Sequence, residues 1–344
     1  MSPAADLAAL PAAAATTAAP SAGERAAWFL PLAQRNWGRG LVIGIPYAFL
    51  VIFFSLPFLV VLKISVSESD GVQFKDLISF ADGTLTLQFK LANYVFLATD
   101  PLYLRTYAWS VCYALINTLI CLAIGYPFAY FMTRARPTLR PILVMLVSLP
   151  FWTSYLLRIY AWKGLLDDHG VINNLLLWLH LRGEPIKMMY TPYSMMIGMV
   201  YTYLPFMILP LYGTLVKADP RLLEAAGDLG TPPWKAFWLI TVPLSKAGII
   251  AGSMLVFIPS VGEYVIPELL GGPQTLMIAR VLWDEYFQNV DWPMASAVAV
   301  TMVGLILIPL VLFNRYQSDV RGEPGAKPAK AKPRGRVRAA AVAQ

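Results

Sequence analysis

The sequence points to an all-α polytopic membrane protein with six transmembrane helices and both termini in the cytoplasm. Three observations carry that reading: composition, the length of the uncharged runs, and the placement of Lys and Arg. Of 344 residues, 58% are apolar and only 14% charged, with a mean hydropathy of +0.58. A soluble domain carries roughly 25% charged residues, so there is too little charge here to coat a water-facing surface. The net charge of +7 would suit a nucleic-acid ligand, but its distribution assigns it to the membrane instead.

Residues 1–40 are rich in Ala, Pro, Thr and Ser, with Asp6 and Glu24 ahead of any basic cluster. They lack the basic start and apolar run of a signal peptide and read as a retained, disordered cytoplasmic tail. A transmembrane domain follows over 41–316. Its six apolar runs extend from Leu41 to Leu62, Tyr107 to Met132, Ile142 to Trp162, Pro192 to Val216, Ala247 to Leu270 and Pro293 to Phe313. Each is about the 20 residues that cross a bilayer core. Prolines inside them, among them Pro127, Pro205, Pro259 and Pro309, predict kinks that neighbouring membrane helices accommodate.

Orientation follows from the basic residues beside the spans. Arg25, Arg35 and Arg39 precede the first span, Arg134, Arg136 and Arg140 crowd the short second loop, and Lys217, Arg221, Lys235 and Lys246 occupy the fourth. Between spans one and two, Lys63, Lys75, Lys90 and Arg105 are balanced by Glu68, Asp70, Asp76, Asp82 and Asp100. The 317–344 tail contains AKPAKAKPRGRVR, a Pro-interspersed basic stretch that is expected to be disordered and to attract anionic lipid.

The loop 217–246, KADPRLLEAAGDLGTPPWKAFWLITVPLSK, is patterned rather than merely connecting. Asp219 with Pro220 reads as an N-cap followed by a first-turn proline. Leu222, Ala225, Ala226 and Leu229 give a narrow helical stripe, and Gly230 stops that helix. Thr231, Pro232 and Pro233 start a second helix through Trp234, Phe237, Trp238 and Ile240, ending before Pro243. The result is a bent pair of short helices on the cytoplasmic face, shaped for docking.

These residues resemble a known family. Glu224, Ala225, Ala226, Gly230, Phe237, Ile240 and Pro243 match the EAA loop of the membrane subunits of bacterial ABC importers, the binding-protein-dependent transport family. The resemblance implies a type I importer permease fold in the inner membrane and a loop that docks on an ATPase subunit. The stretches LPFWTSYLLRIYAW (149–162), GIIAGSMLVFIPSVGEYVIPELLGGP (248–273) and DWPMASAVA (291–299) resemble the putrescine-type permease subunits of polyamine importers. That implies a cationic amine substrate, a second homologous permease subunit, two ATPase subunits and a periplasmic polyamine-binding protein. ATP and Mg would sit on the partner ATPase subunits and no cofactor on this chain, which has no G-x-x-x-x-G-K-[ST] run of its own.

Three ionisable groups interrupt the spans: Arg158, Glu263 and Glu268. Such a group costs about 2.5–3.5 kcal/mol at the centre of a helix and usually faces protein or a water-filled path. Arg158 and Glu263 lie about sixteen residues into spans three and five, roughly 24 Å along each at 1.5 Å per residue. Two readings stand for them: an ion pair tying the two spans together, or a cation path in which Arg158 holds Glu263 while substrate is absent. Glu268 belongs to the outer mouth, either in that path or as an interfacial acid. Trp152, Tyr155, Tyr160, Trp162 and Tyr264 fall in the same two segments, where ring faces attract an ammonium group or form an aromatic belt at the interface. The loop Gly271–Asp291 carries a short amphipathic pattern with Asp284 and Glu285 that suits either a binding-protein contact or an interfacial helix.

Other classes are less consistent with the sequence. With two cysteines, Cys112 and Cys121, and only His169 and His180, there is no metal-ligand or redox cluster. Neither H-E-x-x-H nor G-x-S-x-G occurs. An ion-coupled secondary transporter or channel for organic cations is the alternative; against it stand the docking loop and the lack of any evident pair of interrupted helices in the two halves.

Overall fold

The computed structural model describes residues 31–67, 69–70, 73–74, 78–81, 84–87, 91–181 and 183–321, with side chains at 40–67, 91–181 and 183–311. Both tails expected at 1–40 and 317–344 therefore lie mostly outside the described residues. The helix of the first span begins at Pro31, ten residues before the expected start at Leu41, and the last helix runs on to Arg321.

The chain divides into two compact units, Met1–Val60 and Val61–Gln344. The first is α1 (Pro31–Leu50), a π turn (Val51–Ser55) and the start of α2 (Leu56–Ser65). Its apolar side chains from Leu41 to Phe54 are about half exposed or more. A surface so free of charge is that of a helix built for lipid or for another subunit.

The second unit opens on two small antiparallel hairpins, β1–β2 (Ser69–Asp70 with Gln73–Phe74) and β3–β4 (Ile78–Ala81 with Thr84–Leu87), the latter in the register Ile78↔Leu87. Everything after them is helical: α3 (Ala92–Thr99), α4 (Pro101–Arg134), α5 (Arg140–Ser148), α6 (Tyr155–Leu166), α7 (Val171–Trp178) and α8 (Pro192–Leu215). Then follow α9 (Arg221–Asp228), α10 (Pro233–Ala236), α11 (Val242–Leu244), α12 (Lys246–Val261), α13 (Val265–Leu269), α14 (Ile278–Trp283) and α15 (Trp292–Arg321). Local chemistry sets the starts of the long helices. The Asp100 carboxylate accepts from the Leu102 N–H at 2.7 Å ahead of Pro101. At α8, Thr191 and Ser194 cap each other's backbone N–H groups, with Pro192 in the first turn.

Four helices are long and apolar enough to cross a membrane: Gly40–Ser65, Pro101–Arg134, Pro192–Leu215 and Trp292–Val311. The number reaches six if two bent pairs each count as one span, Arg140–Trp152 with Tyr155–Trp178 (90°) and Pro233–Leu244 with Lys246–Val261 (67°). The third run is thus not the continuous helix expected, and the fifth is interrupted too, at a point beyond that 67° bend. In the third, a 3-10 turn over Leu149–Trp152 ends at Thr153, whose N–H and hydroxyl both turn back to the Pro150 carbonyl. In the fifth, α12 stops at Val261 after Pro259, and the chain restarts as α13 beyond Gly262–Tyr264. Two spans are therefore interrupted where the sequence made no pair of interrupted helices in the two halves evident.

The core sits where α4, α8 and α12 pack against one another. Met132, Met195, Met199, Met207, Leu211 and Val256 are fully buried there. On α12 the sequence Gly248-Ile-Ile-Ala-Gly252 turns both glycines to α8. A Cβ at Gly252 would meet the Met207 sulfur at 2.8 Å and its backbone carbonyl at 3.1 Å. Small residues spaced by four allow this approach, as at membrane helix interfaces generally. Gly252→Ala should therefore lower the thermal midpoint of the purified protein by the equivalent of about 1–3 kcal/mol, an overpacking cost. Gly164, on α6 with nothing within 4 Å, should gain up to about 1 kcal/mol from the same change. Equal shifts at the two positions would contradict the packing account.

Candidate functional site

The segment 217–246 folds as the expected bent pair, with two adjustments. α9 begins at Arg221, one residue later than predicted, while the Asp219 carboxylate accepts the Arg221 N–H at 3.0 Å as an N-cap two residues ahead does. The second helix does not end before Pro243: a π turn (Phe237–Thr241) carries it through α11 to Leu244. In the π turn the Val242 N–H reaches the Phe237 carbonyl, so Pro243, which has no N–H, continues the helix.

Gly230 makes the bend. Its φ is +77°, and the Thr231 N–H bonds the Ala226 carbonyl at 2.9 Å while the Gly230 N–H bonds the Gly227 carbonyl at 2.8 Å. That is a Schellman closure, which needs a residue comfortable in the left-handed region. Phe237 anchors the pair: its ring meets Tyr126 and Tyr130 of α4 edge-on at 5.5 and 5.6 Å. Ala226 is buried, whereas Glu224, Ala225, Gly230 and Pro243 are exposed and Ile240 is half-buried. Trp234, Trp238 and Leu239 are each more than 60% exposed and Leu229 is 85% exposed. These apolar side chains and the Glu224 carboxylate are exposed on one short segment, and exposed apolar surface of this kind marks lipid or protein contacts.

The second cluster gathers at the breaks in spans three and five. Glu263, 7% exposed, receives the Tyr155 hydroxyl on Oε1 at 2.7 Å and the Tyr203 hydroxyl on Oε2 at 2.5 Å. Oε1 also accepts from the Val265 and Ile266 N–H groups at 3.0 and 3.3 Å. Glu263 thereby caps α13 and ties it to α6 and α8 across both interruptions. Arg158 is not its partner. No ion pair joins them among the described residues, and the Arg158 Nε and Nη1 atoms are buried without a hydrogen bond. The guanidinium lies 5.8 Å from the centre of the Tyr155 ring, whose hydroxyl holds Glu263. The two groups thus share a tyrosine rather than a salt bridge.

The remaining candidates are dispersed. Trp162 packs edge-on against Tyr201 at 5.4 Å, while Trp152 and Tyr160 are 89% and 55% exposed. Tyr264 stacks on Trp283 at 4.7 Å. Glu268 pairs with Arg280 at 2.8 Å beside a cavity of about 500 Å³ that Asp284 and Tyr190 also line. The amphipathic pattern after span five forms α14 and a π turn (Asp284–Gln288), where Glu285 accepts the Tyr103 hydroxyl at 2.6 Å. Tyr203, Arg280 and Trp283 escaped the sequence reading. The signal available for Tyr203 was a pair of hydroxyl-bearing rings, Tyr201 and Tyr203, inside an otherwise apolar run.

Interrupted apolar spans joined to an exposed, bent helix pair define a membrane-embedded transport component, and the chain belongs to the family described as "Binding-protein-dependent transport system inner membrane component", which it matches over residues 121–321. Members are permease subunits of ABC importers and not enzymes; the ATPase is a separate subunit. The chain is 40% identical over 266 residues to the "Spermidine/putrescine transport system permease protein PotB" of Escherichia coli K12, covering 77% of this chain and 93% of that protein. To the protein of the same name from Haemophilus influenzae it is 38% identical over 284 residues, covering 83% and 95%. In fold it is similar to a chain of a bacterial ABC transporter that imports the acidic polysaccharide alginate, with a TM-score of 0.63 at 15% identity over 83% of this chain and 97% of that one. Another structure of the alginate transporter, in complex with an alginate pentasaccharide-bound periplasmic protein, matches equally well: TM-score 0.63 at 15% identity, over 84% of this chain and 96% of that one.

Proposed function

We propose that this chain is a six-span permease subunit of an ATP-driven importer for polyamines, putrescine first among them, delivered by a periplasmic binding protein. A second homologous permease completes the path, and two ATPase subunits, which carry ATP and Mg, dock on the segment 217–246. The observation that carries the reading is that segment. Its exposed Glu224, Trp234, Trp238 and Leu239 surround a glycine-made bend, in a chain whose PotB relatives bear spermidine and putrescine in their name. Closure of the ATPase pair would push the segment, and through Phe237 the inner end of α4. The breaks at 153–154 and 262–264 give spans three and five places to move.

At the outer end, Glu268, Tyr264 and the other aromatic candidates supply acid and ring faces for an ammonium group, with Glu263 and Arg158 deeper in the path. The experiment is substrate-stimulated ATP hydrolysis by the purified complex with its binding protein. Putrescine and spermidine should stimulate several-fold, and an acidic or neutral solute of similar size should not. Equal stimulation by all would remove the polyamine assignment and leave the transporter class standing.

Orientation has its own test. Single cysteines at Asp82 and Ala329, both outside the described residues, are placed in a background lacking Cys112 and Cys121. An impermeant thiol reagent added to intact cells should label position 82 and spare position 329. Labelling of 329 from outside would overturn the six-span topology.

A further inference from the structure

A cavity of about 280 Å³ lies between the end of α4, the start of α5, the end of α8 and the docking segment. Both ends of that segment wall it: Leu222 and Leu223 at the beginning, Ile240 and Leu244 at the close. Two arginines line it as well. Arg134 donates through Nη2 to the Tyr130 hydroxyl at 2.8 Å and lies over that ring. Arg140 spends its Nε on the Ala135 carbonyl at 3.0 Å. Each keeps further N–H donors, and among the described residues neither makes an ion pair. The one acid in the lining, Asp219, accepts the Arg221 N–H on one oxygen and keeps its charge, so the lining carries two cations against one anion.

The cavity wall also contains Thr241, 5% exposed, whose hydroxyl has no hydrogen-bond partner. A buried hydroxyl left unpaired is costly. The residue lines the same cavity as two cations, of which the carboxylate of Asp219 offsets one among the residues that line it. Guanidinium groups with free donors match the oxygens of a phosphate.

We infer that this cavity is a binding site for a phosphate group with uncompensated negative charge, carried by an anionic phospholipid headgroup or by a soluble phosphate. The apolar walls suit the lipid, whose glycerol region would lie against Leu222, Leu223 and Leu244. An occupant touches both ends of the docking segment and the arginines on α4 and α5 together, so it fixes the segment against the membrane domain. The binding claim stands on the cavity itself, and only its effect on ATP hydrolysis rests on the function proposed above.

The test is native mass spectrometry of the purified full-length complex, counting retained phosphatidylglycerol after titration against phosphatidylcholine, with a parallel arm of inorganic phosphate as competitor. The paired change Arg134→Gln with Arg140→Gln should weaken retention about tenfold, and Thr241→Val about threefold. Arg136→Gln, exposed and outside the cavity, should stay within about twofold of the parent, and the paired Lys replacements should restore much of the loss. Displacement of lipid by inorganic phosphate would assign the site to the soluble ion, and no displacement to the lipid; both support a phosphate site. Loss with Arg136→Gln as large as with the pair would reduce it to general surface charge and overturn the proposal, as would unchanged retention in the paired Gln variant. Stimulation of ATP hydrolysis by phosphatidylglycerol, absent from the paired Gln variant, would add the coupling role.

Discussion

Gly230→Leu should leave the chain inserted in the membrane while removing nearly all substrate-stimulated ATP hydrolysis from the assembled complex. No atom lies within 4 Å of the added Cβ, so the change acts first through the backbone. At φ +77° an L side chain costs about 1–2 kcal/mol, and the Schellman closure by Thr231 and Gly230 opens to relieve it. α9 and α10 then leave the angle that presents Glu224, Trp234 and Trp238 to one partner surface. Gly230→Asn, which tolerates the left-handed region, should retain most of the activity and so separates backbone from bulk. Glu224→Ala should keep the bend but lose the charged contact, lowering stimulated hydrolysis by roughly tenfold, about 1.4 kcal/mol. Normal ATPase retention and normal stimulation in Gly230→Leu would remove the docking assignment.

The next largest effect is expected at Glu263. Its carboxylate holds two tyrosine hydroxyls and two backbone N–H groups at the broken ends of two spans. Glutamine puts an NH2 group where one oxygen now accepts hydrogen bonds, and a buried donor left without its partner costs about 1–3 kcal/mol, so Glu263→Gln should lower complex yield and reduce putrescine uptake at matched yield about tenfold or more. Tyr203→Phe, which removes one donor, should produce a smaller loss of the same kind. The double variant Arg158→Met with Glu263→Gln should show no rescue. Rescue appears when one change strands the charge of an ion-pair partner, and in this structure Arg158 and Glu263 share Tyr155 instead. Recovery of transport by the double variant would show that the two charges pair in the working complex.

The sequence made the apolar runs and the docking segment legible because both are written in local terms. A run free of charge needs no knowledge of its neighbours. Asp219, Gly230 and the two prolines at 232 and 233 act within a few residues of themselves. The breaks were harder. Pro150 and Pro259 were visible, but proline occurs within α4 and α8 without ending them. What decides is where the freed N–H groups go, and at 265 and 266 they go to the side chain of Glu263. Whether Arg158 pairs with Glu263 stayed open for a related reason. Charge alone made them candidate partners, while the acid accepts from the hydroxyls of Tyr155 and Tyr203 on two different helices. The N-terminal helix began earlier than predicted because Arg35 and Arg39 end an apolar run without ending a helix.

Transport by this chain should run on ATP hydrolysed on partner subunits. The most direct measurement is uptake of labelled putrescine into proteoliposomes holding the complete complex, with the binding protein outside and ATP sealed within. Uptake should require both and should collapse in Gly230→Leu, with no response to an imposed proton or sodium gradient. Uptake driven by such a gradient in the absence of ATP and binding protein would contradict the account and favour an ion-coupled carrier.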